Sequence, residues 1–341
     1  MDDTVENSLA RGHELYRQRR YEEAAQDYQA ALDVDPDNWS ATVGLNRAIR
    51  RSIPRWHFEM LNDDERADRY EKAIRQVVQP GHLVLDVGTG SGLLSLMAAR
   101  AGADHVVACE AQPLVADVAR RIIAAAGYGD RVSVVPKMST DLQVGVDLPR
   151  RADVLVTETV DCGLLGEGIL PIMEHARQHL LTENAVIVPG RATVVAQFVE
   201  SVSLHRKNHV SDVQGFDLSI FNELSSLEYY DSRLRRHEHQ MLSEPFEVFR
   251  FDFYRDRVSG RQEELVVTPT ATGTCHAIAF WFEMELTSDI TLTNSPAHTH
   301  LHWKQAIQTL PAAPRVRAGE PVRLNVRHDD SSIYFTINDR A

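Results

Sequence analysis

Paired cysteines are missing from this sequence. Its three cysteines, Cys109, Cys162 and Cys275, stand far apart and form no Cys-x-x-Cys pair. This spacing argues against a disulfide framework and against a cysteine-based zinc site. It favours a reducing compartment, and we therefore expect a cytoplasmic protein.

Long apolar runs and an excess of positive charge are missing as well. No stretch of about 18 apolar residues exists, so we expect no membrane span. The acidic start, MDDTVENSLARG, lacks a secretory pattern. The net charge of −13 disfavours nucleic acid as a partner, because nucleic-acid binding depends on neutralising phosphates. The same charge is compatible with attraction of a cationic substrate.

Lysine is scarce. The chain contains only Lys72, Lys137, Lys207 and Lys304, so arginine carries nearly all of the positive charge. Together with the many alanines, this composition is typical of a GC-rich bacterial genome.

The first 50 residues have a helical pattern. Small residues at Ala24 and Ala31 allow two helices to approach closely, Tyr21 and Tyr28 fill the space beside them, and Pro36 ends the second helix. The pattern resembles one 34-residue tetratricopeptide repeat. One repeat cannot build a concave binding groove, so a hairpin docked on its neighbour is favoured over peptide or partner binding.

The rest of the chain shows two different patterns of predicted secondary structure. From about Pro54, short apolar strands such as HLVLDV and HVVAC alternate with helical segments, which predicts a parallel, doubly wound α/β sheet. After about Pro189, strands follow one another with few helices, which predicts an antiparallel sandwich or barrel. A longer insertion at about 211–240 would project as an arm.

A glycine-rich turn follows the first of these strands. The segment LDVGTGSG contains Asp86, Gly88, Gly90 and Gly92, and the next strand ends in Glu110. Glycines let the backbone approach a ligand, and a carboxylate about 20 residues further on suits ribose hydroxyls. The pattern favours S-adenosylmethionine, with a nicotinamide cofactor and a turn without ligand as the alternatives.

An acidic, glycine-rich loop follows the fourth strand. In TETVDCGLLGEG, Glu158 and Glu167 flank an apolar segment, and Asp161 adds a third acid. Two carboxylates at the ligand-binding edge of a sheet suit a planar, forked guanidinium group. Ordinary capping or solvated acids and a metal site are the other interpretations.

Four motifs in order resemble the protein arginine methyltransferase family over about residues 54–341. ETVDCGLLGE looks like the family's double-glutamate loop, and HFEMLNDDERADRY is similar to its N-terminal signature. HLHWKQAI looks like its Thr-His-Trp loop, with Leu301 in place of the threonine, and LSEPFEVFRFDF resembles a segment of its barrel.

The helical pattern of the first 50 residues and the resemblance of the rest together imply a domain plan. Residues 1–52 would form the tetratricopeptide-like segment, and residues 53–188 a Rossmann-type domain that binds S-adenosylmethionine. Residues 189–341 would form a β-barrel with a dimerisation arm at about 211–240. A homodimer is therefore expected.

The resemblance also implies roles for individual residues, and no metal. The expected cofactor-binding residues are Arg66, Asp86, Gly88, Gly90, Glu110, Ser139 and Glu158. Ser139 stands where an acid more usually meets the adenine. Glu158 and Glu167 would hold the substrate guanidinium, with Trp303 beside them, and Asp63 and His302 would form a supporting pair counted with the catalytic residues.

The expected activity is methyl transfer to a terminal guanidino nitrogen. If the source is bacterial, we expect free L-arginine as the substrate and the monomethyl product. Arginine within a protein is the alternative substrate. A non-catalytic interaction protein that uses the hairpin and the arm is a further alternative.

Overall fold

The computed structural model describes residues 3–298 and 300–337. The outermost ends of the predicted domains, residues 1–2 and 338–341, lie outside this part. Its α-helices are α1 (Asp3–Arg17), α2 (Tyr21–Val34), α3 (Trp39–Ser52), α4 (Trp56–Leu61), α5 (Asp64–Val77), α6 (Leu93–Ala101), α7 (Pro113–Ala125), α8 (Ile169–His175) and α9 (Val202–His205). A π-helical turn, Ala176–Leu180, continues α8.

The strands form two groups, one before and one after Pro189, which correspond to the two patterns predicted from the sequence. The first group is β1 (Leu83–Val87), β2 (His105–Cys109), β3 (Val132–Val135), β4 (Ala152–Thr157) and β5 (Leu181–Val188). The second group is β6 (Arg191–Glu200), β7 (Asp212–Val213), β8 (Phe216–Asp217), β9 (Tyr230–Ser232), β10 (Gln240–Met241), β11 (Phe246–Asp252), β12 (Arg261–Val267), β13 (Gly273–Thr274), β14 (Ala277–Glu285), β15 (Thr291–Thr293), β16 (Gln305–Thr309), β17 (Arg315–Val316), β18 (Val322–His328) and β19 (Ile333–Ile337).

The N-terminal helices α1, α2 and α3 pack around one tyrosine. The ring of Tyr28 in α2 lies between Gly12 of α1 and Gly44 of α3, where an added Cβ would stand 2.8 and 2.4 Å from ring atoms. Side chains at either position would push the helices apart, so the small residues allow the close packing. The helical segment is present as expected, whereas its tetratricopeptide-like character stays a prediction.

The first group of strands forms a parallel sheet with the order β3-β2-β1-β4-β5. The predicted Rossmann-type fold is therefore confirmed. The strand order reverses between β1 and β4, which pair in register from Val84↔Val154 to Val87↔Thr157. Open α/β sheets bind ligands at such a switch point, at the carboxyl ends of the strands. This register brings the glycine-rich turn after β1 beside the acidic loop after β4.

The second group is β-rich and antiparallel in its pairing. A seven-stranded sheet has the order β10-β6-β14-β16-β9, with β11 also on β6 and β15 also on β14. A second sheet contains β12, β18 and β19, and a third pairs β13 with β17. Buried side chains of both regions belong to one continuous hydrophobic core. Closure of this region into a barrel stays a prediction.

The insertion at 211–240 has a different surface from the core. It contains the short β7–β8 hairpin and a 3-10 helix, Ser219–Leu224. The apolar side chains of Phe216, Ile220, Phe221 and Leu224 are 67–77% exposed. Across residues 3–298 and 300–337, no helix has the length and apolar character needed to cross a membrane.

Candidate active site

A cavity of about 790 Å³ lies at the carboxyl edge of the parallel sheet. The loops after β1, β2, β3 and β4 line it, together with residues between Ser52 and Met60. The β-rich region contributes Tyr229, Asp231 and the segment His302 to Lys304. Three parts of the chain that are far apart in sequence therefore enclose one space.

The glycine-rich turn approaches the acidic loop closely at Gly88. This residue has a φ of 72°, and an added Cβ would stand 2.7 Å from Cγ2 of Thr159. A side chain at this position would meet both backbone strain and a clash. Gly88 and Gly90 both line the cavity, as expected for residues that let a ligand approach the backbone.

Asp86 lies beneath this turn, and among the described residues it does not line the cavity. Its side chain is fully buried, and its Oδ2 accepts hydrogen bonds of 2.6 Å from the hydroxyls of Thr89 and Ser95. Burial raises the pKa of Asp86 to about 6, against the opposing effect of these two hydroxyls. Oδ2 of Asp86 thus supports the turn, whereas its Oδ1 is buried without a hydrogen-bond partner among the described residues. The expected contact of Asp86 with the cofactor stays a prediction.

Glu110 follows β2 and faces the cavity beside the turn. Its Oε2 accepts a hydrogen bond of 3.0 Å from the amide of Gly90, and its Oε1 accepts one of 2.9 Å from the amide of Gln112. These amides fix the carboxylate at the edge of the sheet. Ser139 lines the same end of the cavity and is 5% exposed.

Glu158 and Glu167 both line the cavity. Burial raises the pKa of Glu158 to about 7, although the charge of Arg66 opposes this. Glu167 is partly exposed to solvent. Its partial burial is the main cause that raises its pKa to about 7, and the negative charges of Asp161 and Glu158 raise it further. A cation bound between these two carboxylates would stabilise their ionised forms and lower both pKa values.

Asp161 shapes the loop between the two glutamates. Its Oδ1 accepts hydrogen bonds from the amides of Gly163 at 3.1 Å and Gly166 at 2.9 Å, and its Oδ2 accepts one of 2.8 Å from the hydroxyl of Tyr229. An added Cβ at Gly166 would stand 2.5 Å from the carboxylate. Asp161 therefore holds the loop in its conformation, and it also lines the cavity. The sequence alone did not reveal these contacts.

Arg66 and Glu158 form a buried ion pair, in which Nη1 of Arg66 donates to Oε2 of Glu158. Their side chains are only 3% and 7% exposed. The Nε and Nη2 atoms of Arg66 are buried and make no hydrogen bond to any described residue. The pairing with Glu158 was not expected, and it leaves two donors of Arg66 for another acceptor.

Asp63 and His302 are in contact, as expected for a supporting pair. Oδ2 of Asp63 accepts hydrogen bonds from the amide of His302 at 2.7 Å and from its Nδ1 at 3.0 Å. Burial lowers the pKa of His302, although Asp63 opposes this, so the ring is neutral near pH 7. Trp303 beside it donates from Nε1 to the carbonyl oxygen of Val160 at 3.2 Å and packs edge-on against Phe282.

The structure thus divides the predicted residues into two sets. Those that line the cavity are Gly88, Gly90, Glu110, Ser139, Glu158, Glu167, His302 and Trp303. Asp63, Arg66 and Asp86 are not among the lining residues; Asp63 and Arg66 contact the lining residues His302 and Glu158, and Asp86 contacts Thr89 of the glycine-rich turn. Within the described ranges, no group of three or more His, Cys, Asp or Glu residues is arranged to hold a metal ion.

Sequence reasoning missed several cavity residues. Trp56 and His57 line the cavity, and their stacked rings have centroids 3.9 Å apart. Tyr229, Asp231 and Lys304 of the β-rich region line it too. Lys304 directly follows the His-Trp pair and could have been noticed from that motif, whereas nothing in the local sequence distinguished the others.

Comparisons with known proteins identify the family to which the chain belongs. A family model described as the arginine methyltransferase oligomerization subdomain matches residues 190–340, and one described as ribosomal protein L11 methyltransferase matches residues 71–211. The chain is 39% identical to an arginine N(omega)-methyltransferase of Streptomyces achromogenes subsp. streptozoticus over 314 residues, which cover 92% of this chain and 87% of the relative. The chain belongs to the arginine methyltransferase family.

Other relatives in the family are longer. The chain is 32% identical to protein arginine N-methyltransferase 7 of Drosophila melanogaster, and the alignment covers 95% of this chain and 51% of that protein. The chain thus spans about half the length of the Drosophila relatives that it matches.

Two solved structures share the fold of this arginine methyltransferase family member. The Trypanosoma brucei PRMT1 enzyme-prozyme heterotetrameric complex with AdoHcy has a TM-score of 0.71 at 24% identity, covering 82% of this chain and 96% of that one. Arabidopsis thaliana protein arginine methyltransferase 10 has a TM-score of 0.67 at 21% identity, covering 83% and 98%.

Proposed function

We propose that the chain is an S-adenosylmethionine-dependent arginine N-methyltransferase that converts free L-arginine to its monomethyl product. The observation that carries this proposal is the placement of Glu158 and Glu167, both with a pKa of about 7, in the cavity that the glycine-rich turn also lines. The named activity of the Streptomyces relative supports the choice of arginine.

The residues present fit S-adenosylmethionine. The two buried donors of Arg66 without a described partner suit the carboxylate of the cofactor. Glu110 suits the ribose hydroxyls, Ser139 lies where the adenine is expected, and Gly88 and Gly90 leave room along the backbone. When bound, the cofactor supplies a sulfonium methyl group that a nitrogen can attack.

The two glutamates address the chemical difficulty of this reaction. Guanidinium has a pKa above 12 and is a poor nucleophile, and it carries the same charge sign as a sulfonium. Glu158 and Glu167 would ionise around the bound cation and offset the repulsion in a sheltered site. They would also orient the planar group so that one terminal nitrogen faces the methyl donor.

His302 can accept the proton that the methylated guanidino group releases. Its Nδ1 is the donor to Asp63, which leaves Nε2 unprotonated in the neutral ring, and the residue lines the cavity. A neutral imidazole held in one tautomer is a suitable general base. Asp63 acts through His302 and is a positioning residue.

Free rather than peptidyl arginine is proposed as the substrate. The name of the Streptomyces relative, arginine N(omega)-methyltransferase, supports this choice, because it gives arginine and not a protein as the substrate. Trp56 and His57 of α4, whose rings stack, line the cavity and are available for contacts with a small substrate. We propose the monomethyl product with it.

We also propose that the protein works as a homodimer. The arm exposes Phe216, Ile220, Phe221 and Leu224 together, and an apolar patch of this kind marks an interaction surface. The match of residues 190–340 to an oligomerization subdomain supports a second copy as the partner.

Mass spectrometry tests the proposed function directly. The protein would be incubated with methyl-labelled S-adenosylmethionine and either free L-arginine or an Arg-Gly-rich peptide. We expect one labelled methyl group on free arginine and little on the peptide. Labelled peptide without labelled arginine would overturn the substrate, and no labelled product in either reaction would overturn the activity.

A further inference from the structure

Two opposite charges stand together at the outer part of the catalytic cavity. Nζ of Lys304 contacts Oδ2 of Asp231, and both residues line the cavity that contains Glu158 and Glu167. Their side chains are 34% and 54% exposed, so the pair can be reached by a solute. Exposed ion pairs contribute little to stability, so we considered a role in substrate binding for this pair.

One buried side chain connects the backbone of Lys304 to the acidic loop after β4, which contains Glu158 and Glu167. Nδ2 of Asn294, which is fully buried, donates to the carbonyl oxygen of Lys304 at 2.8 Å and to that of Cys162 at 2.9 Å. Cys162 lies between the two glutamates in sequence. The single amide group therefore fixes the position of Lys304 relative to the loop.

The segment that contains Asp231 also contacts this loop. Tyr229, two residues before Asp231, donates a hydrogen bond of 2.8 Å to Asp161 in the loop, and Asp231 itself pairs with Ala306 between β9 and β16. The cation and the anion thus hold defined positions relative to the loop that would bind the guanidinium.

This arrangement matches a free amino acid rather than a residue within a peptide. Near neutral pH, free arginine carries an α-carboxylate and an α-ammonium group in addition to its guanidinium. In peptidyl arginine, both α groups are uncharged amides. The cavity has a complementary group for each of the three charges of free arginine. The acids of the loop suit the guanidinium, Lys304 suits the α-carboxylate, and Asp231 suits the α-ammonium group.

We propose that Lys304 binds the α-carboxylate of L-arginine and that Asp231 binds its α-ammonium group. The inference rests on the proposed function and names the residues that select the free amino acid. In the bound state, the two side chains would exchange part of their contact with each other for contacts with the substrate. Charge-assisted hydrogen bonds of this kind alter affinity by about tenfold to a hundredfold.

The test compares three small substrates that differ by one charge. L-Arginine has both α charges, agmatine lacks the carboxylate, and Nα-acetyl-L-arginine lacks the ammonium group. For the wild type, we expect kcat/KM to be highest for L-arginine. In Lys304→Met, KM for L-arginine should rise about tenfold to a hundredfold with kcat little changed, while kcat/KM for agmatine stays at the wild-type value.

Asp231→Asn gives an independent arm of the same test. It should remove the preference for L-arginine over Nα-acetyl-L-arginine and keep the preference over agmatine. Lys72→Met on α5 is the matched control, because Lys72 is exposed and lies outside the described cavity lining. Melting temperature and affinity for S-adenosylhomocysteine would be measured for every variant.

The outcomes separate this inference from the proposed function. If the wild type does not prefer L-arginine over agmatine, or if Lys304→Met loses activity equally on both, the inference is wrong while arginine methylation stands. If the wild type methylates peptide but no small substrate, the free-arginine proposal and this inference both fail. If no substrate is methylated, the proposed function itself is wrong.

Discussion

The Asp63 carboxylate joins the start of helix α5 to His302, a residue 239 positions later in the chain. One oxygen accepts from both the amide and the ring of His302, and the other accepts from the amide of Arg66 at 3.0 Å. The same side chain therefore caps the helix that presents Arg66 and holds the ring proposed as the base. Asp63 thus connects α5 to a residue of the cavity lining without lining that cavity itself.

Replacement of His302 tests the base. His302→Ala should lower kcat by about a hundredfold, because general-base catalysis contributes factors of this size, and should leave affinity for S-adenosylhomocysteine nearly unchanged. Steady-state kinetics and calorimetry would measure the two quantities. Retention of most of the activity would show that the ring only braces α5 on the β-rich region.

Replacement of Glu167 tests the guanidinium clamp. Glu167→Gln should reduce kcat/KM for arginine by at least about a hundredfold, because an amide cannot provide the charge that balances two cations. Cofactor binding should persist, since the contacts proposed for the cofactor lie elsewhere. Glu183→Gln on β5, an exposed position outside the cavity lining, is the control. Turnover of Glu167→Gln at the control's rate would contradict the clamp.

Replacement of Glu158 carries a second consequence. Glu158→Gln should also abolish methyl transfer, but it removes the buried partner of Arg66. An unpaired buried charge is costly, so we expect a lower melting temperature for Glu158→Gln than for Glu167→Gln. Equal melting temperatures of the two variants would indicate that Arg66 finds another partner.

The raised pKa values predict a pH dependence of arginine binding. Glu158 and Glu167, each with a pKa of about 7, become protonated in the free protein as the pH falls below that value, Glu158 despite its pairing with Arg66, whereas the bound cation requires both carboxylates. Affinity for arginine should therefore rise with pH through about 7, with protons released on binding at pH 6. Calorimetry in buffers of different ionisation enthalpy would count these protons. An affinity that does not vary between pH 6 and pH 8 would contradict this prediction.

The loop geometry predicts sensitivity at Gly166. Gly166→Ala places a Cβ 2.5 Å from the Asp161 carboxylate, so the loop must shift and carry Glu167 with it. A displacement of about 1 Å at a reacting group can cost about a hundredfold in rate. Gly129→Ala, where the nearest atom to the added Cβ is 3.9 Å away, is the matched control. Similar rates for the two variants would mean that the loop accommodates the methyl group.

The local patterns of the sequence were sufficient for the architecture. Alternation of strands and helices from Pro54 predicted the parallel sheet, and the pattern after Pro189 predicted the antiparallel region, because these periodicities are visible in neighbouring residues. The positions of Gly88, Glu110, Glu158 and Glu167 followed as well, since parallel strands carry their following loops to one edge.

Contacts between distant residues were not predictable in the same way. The Arg66–Glu158 pair spans 92 positions, and the carboxylate of Asp86 accepts hydrogen bonds from the hydroxyls of Thr89 and Ser95. Such contacts depend on how helices and sheets pack and on which buried polar atoms can find partners. The sequence by itself determined the parallel sheet, the antiparallel β-rich region and the two glutamates that line the cavity. Only the tertiary structure decided that Asp161 brackets the loop and that Lys304 and Asp231 stand at the cavity, because strand pairing and packing alone bring those segments together.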